Sequence, residues 1–166
     1  MTLFVRWHIF TQVWGDYFIR SVAPLDMNRH ACMQQRVEKL KEEVRQMFVR
    51  NALDHHLEED LNLVDTLQRL GLAYHFEKEI NEALAHIHDA RLDSEDLYVV
   101  SLRFRLLRQK GYNIPSDVFI KFQDADGHFY IDTSSNVKGL LCLYDAAYAS
   151  TNEDVVLEDA IPFCRH

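Results

Sequence analysis

From Met33 to Tyr148 the apolar residues recur at intervals of three and four, the spacing that lines one face of an α-helix. No stretch of useful length alternates as a half-buried strand would, so the pattern restricts the chain to an all-α fold. The first stripe is Met33, Val37, Leu40, Val44, Met47 and Phe48. The second, Leu57, Leu61, Val64, Leu67 and Leu70, is closed by Gly71, the residue that most readily turns left-handed beyond a helix end. A third holds Phe76, Ile80, Ala83, Leu84 and Ile87. The fourth, Val99, Val100, Leu102, Phe104, Leu106 and Leu107, starts in the acid-rich "DSED" that suits the positive end of a helix dipole and stops at Gly111 and Pro115.

"PSDVFIKF" predicts a shorter fifth helix, and "QDADGHFYIDTSSN" is a loop rich in turn formers. Val137, Leu140, Leu141, Tyr144, Ala147 and Tyr148 then mark a last clear helix. Short connections imply antiparallel neighbours. No linker, low-complexity tract or internal repeat divides the chain. With 166 residues, 48% of them apolar, one globular unit is expected.

A formal charge of −8 opposes binding to a phosphate backbone, which depends on clustered Lys and Arg, so nucleic acid is not an expected partner. Geometry agrees. At about 100° per residue, the apolar arc of the fourth helix is centred near Arg103, while Arg105 and Arg108 project from the opposite side, so the arginines form no basic stripe. A guanidinium inside an apolar arc must be held by carboxylates or carbonyls, which makes Arg103 an expected clamp between helices.

The chemistry-bearing residues show no site pattern. Cys32, Cys142 and Cys164 are odd in number and far apart, and read as core thiols in a reducing compartment. His55 and His56 adjoin, and His86 and His88 of "HIHD" diverge by about 160° on a helix, whereas helical zinc pairs sit four apart. Placing Gly127 of "DADG" at the glycine of a calcium loop puts Phe122 and Thr133 at two essential ligand positions, so a turn is the better reading. The "EED" and "ED" pairs lie near helix starts or on polar flanks, as solvated surface. No G-x-S-x-G, glycine-rich phosphate loop or H-E-x-x-H occurs. The expected catalytic, cofactor-binding and metal residues are therefore none. The N-terminal "MTLFVRWHIFTQVWGDYF" is interrupted by Arg6, His8 and Asp16, which argues against a signal peptide or a membrane span; the expected location is cytoplasmic.

Four segments in order carry more than any one motif: "VWGDYF" (Val13 to Phe18), "VDTLQRLGLAYHFEKEI" (Val64 to Ile80), "LRFRLLRQKGYNIPSDVFIKFQDADGHF" (Leu102 to Phe129) and "NVKGLLCLYDAAYA" (Asn136 to Ala149). With these, the chain resembles the N-terminal helical domain of plant terpene synthases, nearest to the cytosolic sesquiterpene synthases. The resemblance implies antiparallel helices forming part of an α-barrel that packs against a separate C-terminal catalytic domain. There, a DDxxD motif and a second Asn/Ser/Glu motif hold magnesium on the substrate diphosphate, and an Arg-x-Arg pair manages the leaving group. This chain has neither DDxxD nor the DxDD of class II cyclases. Its only Arg-x-Arg, Arg103 with Arg105, lies in the N-domain segment "LRFRLLRQ".

The implied function is a noncatalytic scaffold portion of a carbon–oxygen lyase that ionises and cyclises farnesyl diphosphate, with magnesium required by full-length relatives and no cofactor in this chain. "FTQVWGD" departs from the family's longer polar segment before the tryptophan. "EDVVLEDAIPFCRH" resembles a helix that the family continues further, so residues 1–166 are expected to be one incomplete N-terminal domain of a truncated chain. A free-standing helical interaction module and an α/α-barrel hydrolase using paired acids are the alternatives.

Overall fold

A computed structural model describes residues 27–90, 94–131 and 136–165. They form α1 (Met27–Asp54), α2 (Leu57–Arg69), α3 (Glu77–Asp89), α4 (Leu97–Lys110), α5 (Val137–Ala147) and α6 (Ala160–Cys164). Short 3-10 helices stand at Ala73–His75, Ser116–Phe122 and Val155–Leu157. Among the described residues the only β pairing is one isolated antiparallel bridge, Gln123 with Phe129. The fold is all-α, as the periodicity requires. The readings of the aromatic N-terminal stretch and of "FTQVWGD" lie outside the described residues.

The chain divides into two compact units, residues 1–43 and 44–166. In the first, Met33, Val37 and Leu40 share the expected helical stripe but are 53%, 46% and 50% exposed. The helical stripe is present, but its first half is not buried. Period decides which residues share a face; it does not decide whether anything covers them. In the second unit α1 contributes buried Phe48 and partly buried Val44, while Met47 is exposed.

The core of residues 44–166 follows the stripes of α2 and α3. Leu61, Val64 and Leu67 are buried on α2, and Phe76, Ile80, Ala83, Leu84 and Ile87 on and just before α3. Leu70 is exposed, because the helix has already ended. Gly71 takes φ +69° there; its N–H donates to Gln68 O at 3.0 Å and the Leu72 N–H to Leu67 O at 2.8 Å, a paired closure of the last carbonyls. α4 ends the same way at Gly111, φ +95°, with the Tyr112 N–H donating to Leu107 O at 3.0 Å. A Cβ at Gly111 would meet nothing within 4 Å, so the cost of a side chain there is backbone strain alone. Gly111→Ala should lower the unfolding free energy by about 1 kcal/mol in urea titration, and Gly111→Asn by less.

α4 is the hub. Its N-terminus is capped by Asp96, whose Oδ1 accepts from the Tyr98 N–H at 2.8 Å. It packs against α2, α3, α5 and the 3-10 helix Ser116–Phe122. With neighbours on so many sides, every residue from Leu97 to Leu107 except Arg103 is buried. Arg105 does leave α4 on the side away from Arg103, but it is buried, because that side of the apolar arc is covered too.

Against α4, α5 buries Gly139, Cys142, Leu143, Ala146 and Ala147. Of the apolar residues that mark this helix in the sequence, Val137, Leu141 and Tyr148 are exposed. Small side chains let two helix backbones approach closely, so the smaller of two apolar faces was taken. "PSDVFIKF" forms a 3-10 helix, which stacks Ser116, Phe119 and Phe122 at intervals of three, the first two buried. "DADG" is a turn: Asp124 Oδ1 accepts from the N–H groups of Asp126 at 3.0 Å and His128 at 2.9 Å, and Gly127 has φ +84°.

Candidate functional site

The three arginines of α4 each leave the helix toward a different neighbour. Arg105, 7% exposed, donates through Nη2 to Asp65 Oδ1 on α2. Arg69 donates through Nε to both oxygens of the same carboxylate, at 2.9 and 3.0 Å, and through Nη2 to Asp145 Oδ2 on α5 at 2.9 Å. One carboxylate thus serves two guanidinium groups and ties α2, α4 and α5. These bonds to Asp65, and then to Asp145, push the Arg69 pKa upward.

Arg108 donates through Nη2 to Asp154 Oδ1 and through Nε to Ile114 O, both at 2.8 Å, and its guanidinium lies 4.9 Å from the Phe104 ring centroid. Asp154 is buried, which alone would raise its pKa. The Thr151 amide at 2.7 Å, the hydroxyls of Thr151 and Ser116 and the charge of Arg108 outweigh that, holding the carboxyl below its ordinary 3.8. A depressed carboxyl contributes stability that is present above its unfolded pKa and lost as pH falls through the folded value. The stability gap between the parent chain and Asp154→Asn, read by urea unfolding, should therefore be widest near neutrality and shrink as pH falls below 3.8.

Arg103 is the clamp expected from its place in the apolar arc, but among the described residues it has no acid partner. Its Nη2 donates to Ile87 O, His88 O and Ala90 O, at and just past the end of α3, at 3.4, 3.5 and 3.5 Å. These are the carbonyls at the negative end of a helix dipole. Burial holds the Arg103 pKa below its usual value. Replacing it strands no buried carboxylate. Arg103→Leu should cost about 1–2 kcal/mol in thermal or urea unfolding, not the larger loss of a broken buried ion pair.

Among the described residues the remaining reactive groups do not converge. His86 faces the His55 ring at 6.0 Å, whereas His88 stacks on Tyr112 at 4.5 Å and contacts Asp89. Cys142 is buried, and desolvation pushes its thiol up to about 11, far from a nucleophilic thiolate. Cys164 is partly buried, but Cys32 is exposed and so is no core thiol. Reading "EED" as solvated surface missed Asp60, which is 2% exposed and accepts from Asn51 Nδ2 at 3.0 Å. The signal was present: Asp60 lies four before Val64 and Asp65 four after Leu61, on the buried stripe. Asp65 and Asp145 share a partner: each accepts from Arg69, so they form no free acid pair for hydrolysis.

Among the described residues there is no strand, and the arginines of the central helix hold α2, α3 and the loop around Asp154, as in a helical scaffold. The family model described as "Terpene synthase, N-terminal domain" matches residues 13–166, and the chain belongs to that family. Its relatives include alpha-humulene synthase of Zingiber zerumbet, 50% identical over 92% of this chain and 27% of the relative. Another is (S)-beta-bisabolene synthase of Zingiber officinale, 47% identical over 92% of this chain and 26% of the relative. The chain thus spans about a quarter of the length of the curated relatives it matches.

Among solved structures, isoprene synthase from grey poplar leaves (Populus x canescens) superposes with a TM-score of 0.69 at 33% identity, over 76% of this chain and 25% of that one. A limonene synthase superposes with a TM-score of 0.64 at 31% identity, over 89% of this chain and 28% of that one. The isoprene synthase was solved with three Mg2+ ions and a thiolodiphosphate. The residues here do not fit such a group: the sequence has no Asp-Asp pair, and no three His, Cys, Asp or Glu side chains among the described residues could hold a metal ion together. Among the described residues no helix is long and apolar enough to cross a membrane.

Proposed function

We propose that this chain is the N-terminal scaffold portion of a cytoplasmic sesquiterpene synthase. In this reading residues 1–166 form one incomplete N-terminal domain, and its partner is the C-terminal helical domain that ionises and cyclises farnesyl diphosphate with magnesium. No residue of the chain takes part in that chemistry. The observation that carries the reading is the 47–50% identity to two sesquiterpene synthases over 92% of this chain but only 26–27% of theirs. The one Arg-x-Arg of the chain, which resembles a diphosphate clamp in sequence, supports it, since Arg103 and Arg105 hold α3 and α2.

The test is a chimera in which this chain replaces the matching segment of the Zingiber zerumbet enzyme. Incubated with farnesyl diphosphate and magnesium, the chimera should form a sesquiterpene and the chain alone should form none. Turnover by the chain alone would overturn the scaffold assignment. A folded but inactive chimera would show that these helices do not support the catalytic domain.

A further inference from the structure

Where α4 meets the 3-10 helix Ser116–Phe122 there is a cavity of about 240 Å3. Val100, Phe104, Ile114 and Val118 give it apolar walls, and Arg103, Asp117 and Lys121 bring charge to it. Lys121 is engaged: its Nζ donates to Ser94 O and lies 3.7 Å from Glu95. Arg103 differs. Among the described residues its hydrogen bonds run from Nη2 to backbone carbonyls at 3.4–3.5 Å, it pairs with no carboxylate, and its buried Nε has no partner.

A guanidinium offers five N–H donors in a fixed fork, so donor capacity remains beside the cavity. A half-buried cation balanced only by long carbonyl contacts is costly, and an anion within the cavity would supply the missing counter-charge. A neutral or cationic occupant would not. The four apolar walls match a hydrocarbon body, and the volume lies below that of pockets for drug-sized molecules. We propose that this cavity binds a small amphipathic carboxylate, its head paired with Arg103 and its short hydrocarbon chain against Val100, Phe104, Ile114 and Val118. Asp117 opposes the anion and sets its affinity.

The test is titration of the chain with butyrate, butyramide and inorganic phosphate, followed by the amide NMR shifts of Val100, Val118 and Lys121. Butyrate should give saturable shifts at these amides. Butyramide, lacking the charge, should bind about tenfold or more weakly. Asp117→Asn, at an exposed position, should tighten butyrate binding about threefold by removing a like charge. Val118→Trp should fill the cavity and abolish binding with Arg103 intact, and Arg103→Met should weaken it about tenfold or more. If Arg103→Met does not fold, the Asp117 and Val118 variants carry the test. Absence of saturable butyrate shifts, equal binding of butyramide, or indifference to both of those variants would overturn the site. Equal binding of phosphate would overturn the amphipathic assignment. None of these outcomes depends on the terpene synthase reading.

Discussion

Arg105→Met should lower the unfolding free energy by about 3 kcal/mol or more, read from the urea midpoint at constant slope. Arg105 is 7% exposed and pairs with Asp65, itself 15% exposed at the side chain. Methionine fills much of the same space, so the loss is electrostatic: Asp65 stays partly desolvated with only Arg69, a largely exposed partner, to neutralise it. Asp65→Asn in the same background should recover part of the loss, because it removes the stranded charge. A single-variant cost below about 1 kcal/mol would show that the pair behaves as an ordinary surface salt bridge.

Phe104→Ala should cost about 3–5 kcal/mol by the same measurement. Its ring is 1% exposed, meets Phe119 edge-on at 5.2 Å between centroids, and lies under the Arg108 guanidinium. Truncation therefore removes apolar burial, an aromatic pair and a cation–π contact at the most enclosed helix. Phe104→Leu should retain more than half of that stability. Tyr130→Ala, at a residue 84% exposed, should change it by less than about 0.5 kcal/mol.

These effects gather on α4, and the sequence pointed to α4 for a partly different reason. Arg103 stood out because it interrupts an apolar arc, and it does clamp α3, through carbonyls. Arg105 and Arg108 fall on the opposite side of the helix, and there they make the ion pairs that lock α2 and the Asp154 loop. Angular position on one helix cannot show how many neighbours that helix will have. Asp60 and Asp65 could have been found by spacing alone, since they fall on the buried stripe of α2. Asp154, in a loop, has no periodic signal, and only Arg108, Thr151 and Ser116 coming together explain its burial.

By itself the sequence determined the helical period, the buried stripes of α2 and α3, the left-handed closures at Gly71 and Gly111, and the turn at "DADG". These depend on residues a few positions apart, which share one turn of backbone wherever the chain folds. It also carried the family, through four long segments in register. Only the tertiary structure decided which of the two apolar faces of α5 is buried, that the Met33, Val37 and Leu40 stripe is exposed, and that Arg103, among the described residues, bonds to carbonyls and pairs with no carboxylate. Those outcomes depend on close approach between residues distant in sequence, and burial and pairing of charge exist only once that approach is made.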